Sequence, residues 1–294
     1  MLECVVNVSE GVESALLDAF AEVTSPVLLD LHADRFHNRA VLTLAGEPDA
    51  LADALAALTG LAVASLDVSR HAGAHPRLGV VDVVPFVDLG DMWEAATPRS
   101  LAARDRYAAW AAVELDLPCF LYGPERTLPE VRRAAWRSLM PDCGPARPHP
   151  TAGAVCVGAR GALVAYNLVL STPDLVTATQ VAAAVRRPGL RTLALVVGAD
   201  VQVSCNLTDP GRLGPADAYD LVARALEAHG RGATRIAAAE LVGLLPRDVL
   251  TAIPSGRWRT LGIGPDRTIE ARLGARPASE RPGPAPVVEG AEPG

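Results

Sequence analysis

Residues 71–86 read His71-Ala72-Gly73-Ala74-His75-Pro76-Arg77-Leu78-Gly79, followed by Val80-Val81-Asp82-Val83-Val84-Pro85-Phe86. The second part is apolar and predicts a buried strand. The first part, with Arg70, carries two histidines and two arginines within eight residues, and its glycines and proline argue against a helix. Because imidazole beside guanidinium is suited to moving a proton near an anion, this loop is the first candidate for chemistry.

Two other interpretations of this loop stay open on the residues alone. A metal site needs a third ligand, and the sequence near His71 and His75 supplies none. A solvated surface loop without chemistry agrees with the composition as well as a catalytic loop does.

The loop lies within an alternation of apolar strands and amphipathic helices that occurs twice along the chain. Thr97-Pro98 predicts the start of a long helix, with Thr97 as cap and Pro98 at the first position. Residues 140–153 are rich in proline and glycine and predict a connection between two halves. The other main segments are strands at 4–8, 27–31, 40–44, 80–86, 118–122, 154–157, 162–170, 193–197 and 201–207, with helices at 47–58, 128–138, 172–187 and 215–229.

This order of segments predicts an α/β (α+β) fold of two similar subdomains, each a mixed β-sheet with helices packed on it. Residues 1–145 are expected to form the first subdomain and residues 146–273 the second. Residues 274–294 are rich in Pro, Gly, Ala and Glu without periodicity, so they are expected to form a disordered tail.

The composition argues against several classes of protein. The chain has 294 residues, a formal net charge of -7 and a pI of about 5.4, whereas nucleic-acid binding needs a basic face. No apolar segment is long enough to cross a bilayer and the N-terminus does not resemble a signal peptide, so a cytoplasmic location is expected. The five widely spaced cysteines predict neither a disulfide framework nor a zinc site.

Residues 71–86 resemble the motif H-x-G-x-H-P-R-x-G-x-x-D-V-x-P-F of the glutamate formimidoyltransferase family, the formiminotransferase domain without the cyclodeaminase domain. Further stretches resemble the family in the same order, to about residue 253. They are Glu3-Cys4-Val5 with Asn7 and Ser9-Glu10-Gly11, Asn38-Arg39 with Val41, Glu114-Leu115-Asp116-Leu117-Pro118, Leu121-Tyr122-Gly123, Gly158-Ala159-Arg160, Ala165-Tyr166-Asn167, Gln202-Val203-Ser204 with Asn206-Leu207, and Glu240-Leu241-Val242-Gly243-Leu244.

The resemblance implies a folate-dependent transferase. Its members move a formimino (or formyl) group from N-formimino-L-glutamate to N5 of tetrahydrofolate, in histidine degradation and one-carbon metabolism. The catalytic histidine of the family corresponds to His75. A neutral imidazole with an ordinary pKa near 6.5 is suited to take the proton from N5 and to give one to the departing amine. Tetrahydrofolate is then a co-substrate, and no metal is implied.

The resemblance also implies where the substrates bind. Arg39, Arg77 and Arg160 are expected to bind the carboxylates of formiminoglutamate and folate. Asp82 is placed in the same substrate site, where it either orients His75 or holds the loop, and His71 is expected to be structural. The folate-contacting segment corresponds to Gly144, Pro145, Ala146, Arg147, Pro148, His149, Pro150, Thr151, Ala152 and Gly153.

Two positions depart from the family pattern. The family commonly has an acidic residue where Ala74 stands and an aromatic residue where Ala152 stands, just before Gly153. Two alternatives therefore remain: a folate-binding protein with little catalysis, and a hydrolase of a formimino or formyl amine. The expected partners are small-molecule substrates, with no nucleic acid and no membrane, and a homodimer is a further expectation.

Overall fold

The computed structural model describes residues 1–229 and 234–275, which fold into two β-sheets with helices packed against them. The strands are β1 (Leu2–Val8), β2 (Leu28–Asp34), β3 (Arg39–Gly46), β4 (Val81–Asp88), β5 (Cys119–Tyr122), β6 (Val155–Ala159), β7 (Val164–Leu170), β8 (Leu190–Val197), β9 (Asp200–Leu207) and β10 (Ile236–Val242). The helices are α1 (Ser14–Thr24), α2 (Pro48–Ser65), α3 (Pro98–Glu114), α4 (Leu128–Ala134), α5 (Leu175–Val185), α6 (Pro215–His229), α7 (Arg247–Thr251), α8 (Ser255–Trp258) and α9 (Ile269–Ala275).

The first sheet has six strands in the order β2-β3-β1-β4-β6-β5. β1, β2, β3 and β4 pair antiparallel, whereas β6 pairs parallel with both β4 and β5, so this sheet is mixed as expected. Side chains alternate between the two faces of a strand. In β1, Cys4 and Val6 are buried in the core formed with α1, α2 and α3, whereas Val5 and Asn7 face away from those helices.

The second sheet has four strands in the order β10-β7-β9-β8, and all three pairings are antiparallel. The expectation that this sheet is also mixed is therefore wrong. β8 and β9 must pair antiparallel, because a two-residue turn that includes Gly198, with φ of +62°, joins them as a hairpin. The fold remains two α+β subdomains, each with its own sheet and its own core.

The strand that follows residues 140–153 bears on the expected division of the chain at residue 145, which stays a prediction. β6, which was expected in the second sheet, is hydrogen-bonded between β4 and β5 in the first. The chain reaches this position because residues 140–153 run back along the first half. There the backbones of Cys143 and Cys119 form a β-bridge, and the N–H of Val80 donates to the carbonyl of Ala152. The first sheet therefore includes residues up to Ala159.

The expected start of α3 is confirmed, because Pro98 is its first residue and the Thr97 hydroxyl accepts from the N–H of Ser100 at 3.2 Å. At the other end of the chain, α9 includes Gly274 and Ala275, the first two residues of the expected tail. The rest of that tail, residues 276–294, lies outside the described residues. Within the described part of the chain, no helix has the length and apolar character that crossing a membrane requires.

Candidate active site

A cleft of about 950 Å³ separates the facing surfaces of the two sheets. On one side it is lined by Val5 and Asn7 of β1, and on the other by Asn167 of β7 and Ser204 of β9. Ligand sites in proteins have volumes of about 300–1,000 Å³. The cleft is therefore large enough for a ligand with several rings, and both halves contribute to its walls.

His75 lines this cleft and is half-buried. Its Nδ1 lies 2.8 Å from the carbonyl oxygen of Pro76 and 3.4 Å from Nη1 of Arg39. A carbonyl oxygen can only accept, so Nδ1 carries the hydrogen and donates it to Pro76. In the neutral ring Nε2 then has the lone pair, and this nitrogen is the one that can accept a proton from a ligand.

The pKa of His75 is far below the ordinary value expected from the sequence. Burial lowers it to about 3, and the positive charges of Arg39 and Arg132 act in the same direction. The hydrogen bond to Pro76 and the charge of Asp82 raise the pKa, but by less. The imidazole is therefore neutral near pH 7, and an anion placed beside it strengthens it as a base.

Asp82 forms a buried ion pair with two arginines, Arg39 and Arg132, and does not line the cleft. Its side chain is fully buried, and its carboxylate accepts from Nη1 of Arg39 at 2.8 Å, from Nη2 of Arg132 at 2.7 Å and from the N–H of Leu78 at 2.8 Å. Burial opposes ionisation, but the two guanidinium groups and these hydrogen bonds hold the pKa of Asp82 at about 2. Asp82 therefore holds the loop and Arg39 in place, which is one of the two roles expected for it, and binding of a substrate by Asp82 stays a prediction.

Arg77 is also a structural residue of the loop. Its guanidinium donates to the carbonyl oxygens of His37, Asn38 and His75, and its Nη1 lies 2.8 Å from Nε2 of His71. These contacts join the turn between β2 and β3 to the loop that carries His75. Arg77 does not line the cleft, and its binding of a substrate carboxylate stays a prediction, as does the structural role of His71.

Arg39 and Arg160 do line the cleft. Arg39 already forms hydrogen bonds with Asp82 and with Asn7. The Oδ1 of Asn7 accepts from the Nε of Arg39 at 2.9 Å. Arg160 donates to the neighbouring Gly161 carbonyl, and within residues 1–229 and 234–275 it forms no salt bridge. It is therefore the better placed of the two to bind an incoming carboxylate.

The sequence did not identify several other cationic residues of the cleft. They come from the segment around α4 and from β8: Arg126, Arg132, Arg133 and Arg191. The available signal for Arg132 and Arg133 was the basic character of the predicted helix near 128–138. No local pattern connects Arg132 with Asp82, because the two residues are 50 positions apart.

The first 160 residues match the family model described as Formiminotransferase domain, N-terminal subdomain. The chain belongs to the formiminotransferase family. The glutamate formimidoyltransferase of Thermoplasma acidophilum is 30% identical over 93% of this chain and 97% of the relative. The glutamate formimidoyltransferase of Streptococcus pyogenes serotype M1 is 34% identical over 64% of this chain and 69% of the relative. The formimidoyltransferase-cyclodeaminase of Gallus gallus is 32% identical, over 64% of this chain and 38% of that longer protein.

The segment 144–153, which corresponds to the folate-contacting segment of the formiminotransferase family, does not line the cleft. Pro145, Arg147, Pro148, His149 and Pro150 instead surround a separate depression of about 230 Å³, together with Asp116. The end of the segment is held by backbone hydrogen bonds to the strand that follows the His75 loop, as in the pair between Val80 and Ala152. Contact of this segment with folate stays a prediction.

Ala74 is exposed beside His75, at the position where the formiminotransferase family commonly has an acidic residue. We expect Ala74→Glu to increase the rate of the proposed reaction at pH 7, because a nearby carboxylate raises the pKa of His75 from about 3 and stabilises the imidazolium. The acid limb of kcat/KM should move to higher pH for the same reason. Profiles of kcat/KM against pH for the wild type, Ala74→Glu and the uncharged control Ala74→Gln measure both effects. Superimposable profiles would show that the missing carboxylate is irrelevant.

Proposed function

We propose that the chain is a transferase that moves a formimino group from N-formimino-L-glutamate to N5 of tetrahydrofolate. Its family membership and its similarity to two proteins named glutamate formimidoyltransferase support this reaction. The observation that carries the proposal is the position of His75, a neutral imidazole with an available Nε2 in a large cleft between two sheets.

The reaction requires one bond to form, one bond to break and one proton to move. As the bond from N5 to the formimino carbon forms, His75 Nε2 accepts the proton that N5 loses. As the bond from that carbon to the glutamate nitrogen breaks, the imidazolium returns the proton to the departing amine. The same side chain thus acts first as base and then as acid, and His75 is neutral again at the end.

The charge of the cleft supports the choice of substrates. Formiminoglutamate and tetrahydrofolate each carry two carboxylates, and Arg133, Arg160 and Arg191 line the same cavity as His75. A carboxylate held by these residues also offsets the positive charge of Arg39, which lowers the pKa of His75. Binding of either substrate is therefore expected to make His75 a stronger base.

The walls of the cleft agree with a pteridine ring as one ligand. Val5, Val41, Val83 and Pro85 of the first sheet give an apolar surface, and Leu193 and Leu195 lie on the second sheet. Flat rings bind preferentially to such surfaces when a few polar groups fix their orientation. We therefore place tetrahydrofolate, as a co-substrate, in this cleft.

The remaining parts of the proposal rest on the sequence and the family. The reaction belongs to histidine degradation and one-carbon metabolism, and we propose that it takes place in the cytoplasm with small molecules as ligands and without nucleic acid or membrane. A homodimer and contact of the 144–153 segment with folate stay predictions. Sedimentation of the purified chain tests the former, and a Pro148→Ala variant with unchanged folate affinity would contradict the latter.

Two simultaneous assays test the proposed function. Release of glutamate and formation of the N5-substituted folate are followed in the same reaction of the purified protein with both substrates. Equal rates of the two are expected for a transferase. Glutamate release without a folate product would favour the hydrolase, and folate binding without either product would favour a folate-binding protein.

Arg160→Gln is expected to raise the KM of one of the two substrates by about 10-fold with a smaller change in kcat. The reason is that the charged hydrogen bonds it removes stabilise the bound substrate and the transition state equally. The measurement is a full kinetic series in each substrate. Arg212→Gln is the matched control, because Arg212 is strongly exposed and does not line the cleft. A KM that is unchanged for both substrates would remove Arg160 from the binding site.

A further inference from the structure

A second imidazole lines the cleft beside His75. His37 lies in the turn between β2 and β3, and the centroids of the two rings are 6.2 Å apart in an edge-to-face arrangement. His37 is only 8% exposed. Its Nε2 is buried and has no hydrogen-bond partner within residues 1–229 and 234–275. Leaving a buried polar atom without a partner is costly, so this nitrogen is a candidate for contact with a ligand.

The surroundings of His37 fix its position and its protonation. The Asp34 carboxylate accepts from the backbone N–H groups of Phe36 and His37, each at 2.7 Å, and its Oδ2 lies 3.8 Å from Nδ1 of His37. Arg77 donates to the carbonyl of His37 at 2.9 Å. The nearby carboxylate favours the tautomer with hydrogen on Nδ1, which leaves a lone pair on Nε2.

The charge of this ring is also defined. Burial lowers the pKa of His37 below its usual value, and the charges of Arg39 and Arg77 lower it further, whereas Asp34 and Glu240 raise it. The ring is therefore neutral near pH 7. A neutral imidazole with hydrogen on Nδ1 offers one acceptor at Nε2 and no donor there.

The two donor groups under consideration differ at the atom that an acceptor can recognise. A formimino group ends in a nitrogen that carries hydrogen and is protonated as an amidinium at neutral pH. A formyl group ends at the same place in a carbonyl oxygen, which only accepts. An acceptor near the reacting carbon therefore favours formimino over formyl, because a buried acceptor facing a carbonyl leaves both lone pairs without a partner.

We propose that Nε2 of His37 accepts a hydrogen bond from the terminal nitrogen of the formimino group and so selects formimino donors over formyl donors. This inference rests on the proposed function and adds the group that sets donor specificity. It assigns distinct tasks to the neighbouring imidazoles: His75 moves the proton, and His37 orients the formimino carbon toward N5. Its place next to His75 is what such a contact requires, since the terminal nitrogen and the reacting carbon are directly bonded.

The test compares kcat/KM for N-formimino-L-glutamate and N-formyl-L-glutamate in the wild type and two variants of similar side-chain size. His37→Leu removes the acceptor, and His37→Gln keeps a carbonyl oxygen. For the formimino donor we expect a loss of about 10- to 100-fold in His37→Leu and a smaller loss in His37→Gln, as for a hydrogen bond to a charged group. For the formyl donor we expect a change of less than about 3-fold. The ratio of kcat/KM for the formimino donor to kcat/KM for the formyl donor therefore falls in His37→Leu.

The outcomes separate this inference from the proposed function. A wild type that turns over the formimino donor, with equal losses for both donors in His37→Leu, gives His37 a structural role and overturns the inference alone. A wild type without folate product from the formimino donor overturns both. Thermal unfolding of each variant identifies a loss of fold. If His37→Leu does not fold, the ratio of kcat/KM for the two donors in His37→Gln decides whether the inference holds. His229→Gln, at an exposed imidazole that ends α6, is the control and should leave the ratio unchanged.

Discussion

Replacing His75 with alanine is expected to lower kcat for formimino transfer by about 10²–10⁴-fold, the usual loss when a general acid–base group is removed. Nε2 of His75 is the atom that exchanges the proton, and alanine has nothing in its place. The fold should survive, because the ring is half-buried and its Nδ1 donates to the carbonyl of the adjacent Pro76, with Arg39 at a longer distance of 3.4 Å. The two-product assay measures the loss, and thermal unfolding checks the fold.

His71→Ala is the matched control for this prediction. Its Nε2 contacts Arg77 and the carbonyl of Asn38, and the side chain does not line the cleft, so a much smaller loss of activity is expected. Added imidazole should partly restore activity to His75→Ala and should have no effect on His71→Ala. An active His75→Ala together with an inactive His71→Ala would mean that the proton is carried by the other imidazole.

Local sequence patterns predicted the elements whose interactions are close along the chain. The cap of α3 is an example, because Thr97, Pro98 and Ser100 form it among themselves. The loop around His75 is another, since its glycines and proline exclude regular structure and the apolar strand after it places the loop at the end of that strand. In both cases the residues that determine the conformation lie within a few positions of one another.

Long-range contacts account for the predictions that differ from the structure. Asp82 meets Arg39 across 43 positions and Arg132 across 50, so no spacing rule identifies its two partners. Arg77 likewise bonds to the turn before β3, across about 40 positions, and no local pattern indicates that contact. The strand β6 enters the first sheet because a connection that reads as a linker returns along the surface of that sheet.

The same argument applies to His37. In the sequence it is one polar residue directly before the matched Asn38-Arg39, and the resemblance assigns it no role. Its significance comes from the approach of the His75 loop, which is joined to the turn by Arg77, and from the second sheet, which closes the other side of the cleft. Only the assembled fold shows that His37 lines the cleft and that its Nε2 is buried without a partner in the described part of the chain.

Asp82→Ala is expected to destabilise the protein by about 3–5 kcal/mol, the range for removing one partner from a buried ion pair. The carboxylate is fully buried, and its loss leaves the guanidinium groups of Arg39 and Arg132 without their counter-ion, of which that of Arg39 is itself nearly buried. A domain is stabilised by only about 5–15 kcal/mol in total, so this is a large fraction. Urea unfolding measures it. The control is Asp220→Ala, which breaks an ion pair with Arg257 that is more than one-third exposed, and it should cost at most about 1 kcal/mol.

The effect of Asp82 on stability must also depend on pH, and the sign follows from its pKa of about 2. This value lies below that of an unfolded Asp, so the folded state binds the proton less tightly. The stabilisation by Asp82 is therefore complete above about pH 4 and is lost as the pH falls through about 2. The difference in unfolding free energy between the wild type and Asp82→Ala should shrink over that interval and stay constant from pH 5 to 8. A difference that instead changed around pH 6–7 would mean that a histidine, and not this carboxylate, controls the stability of the site.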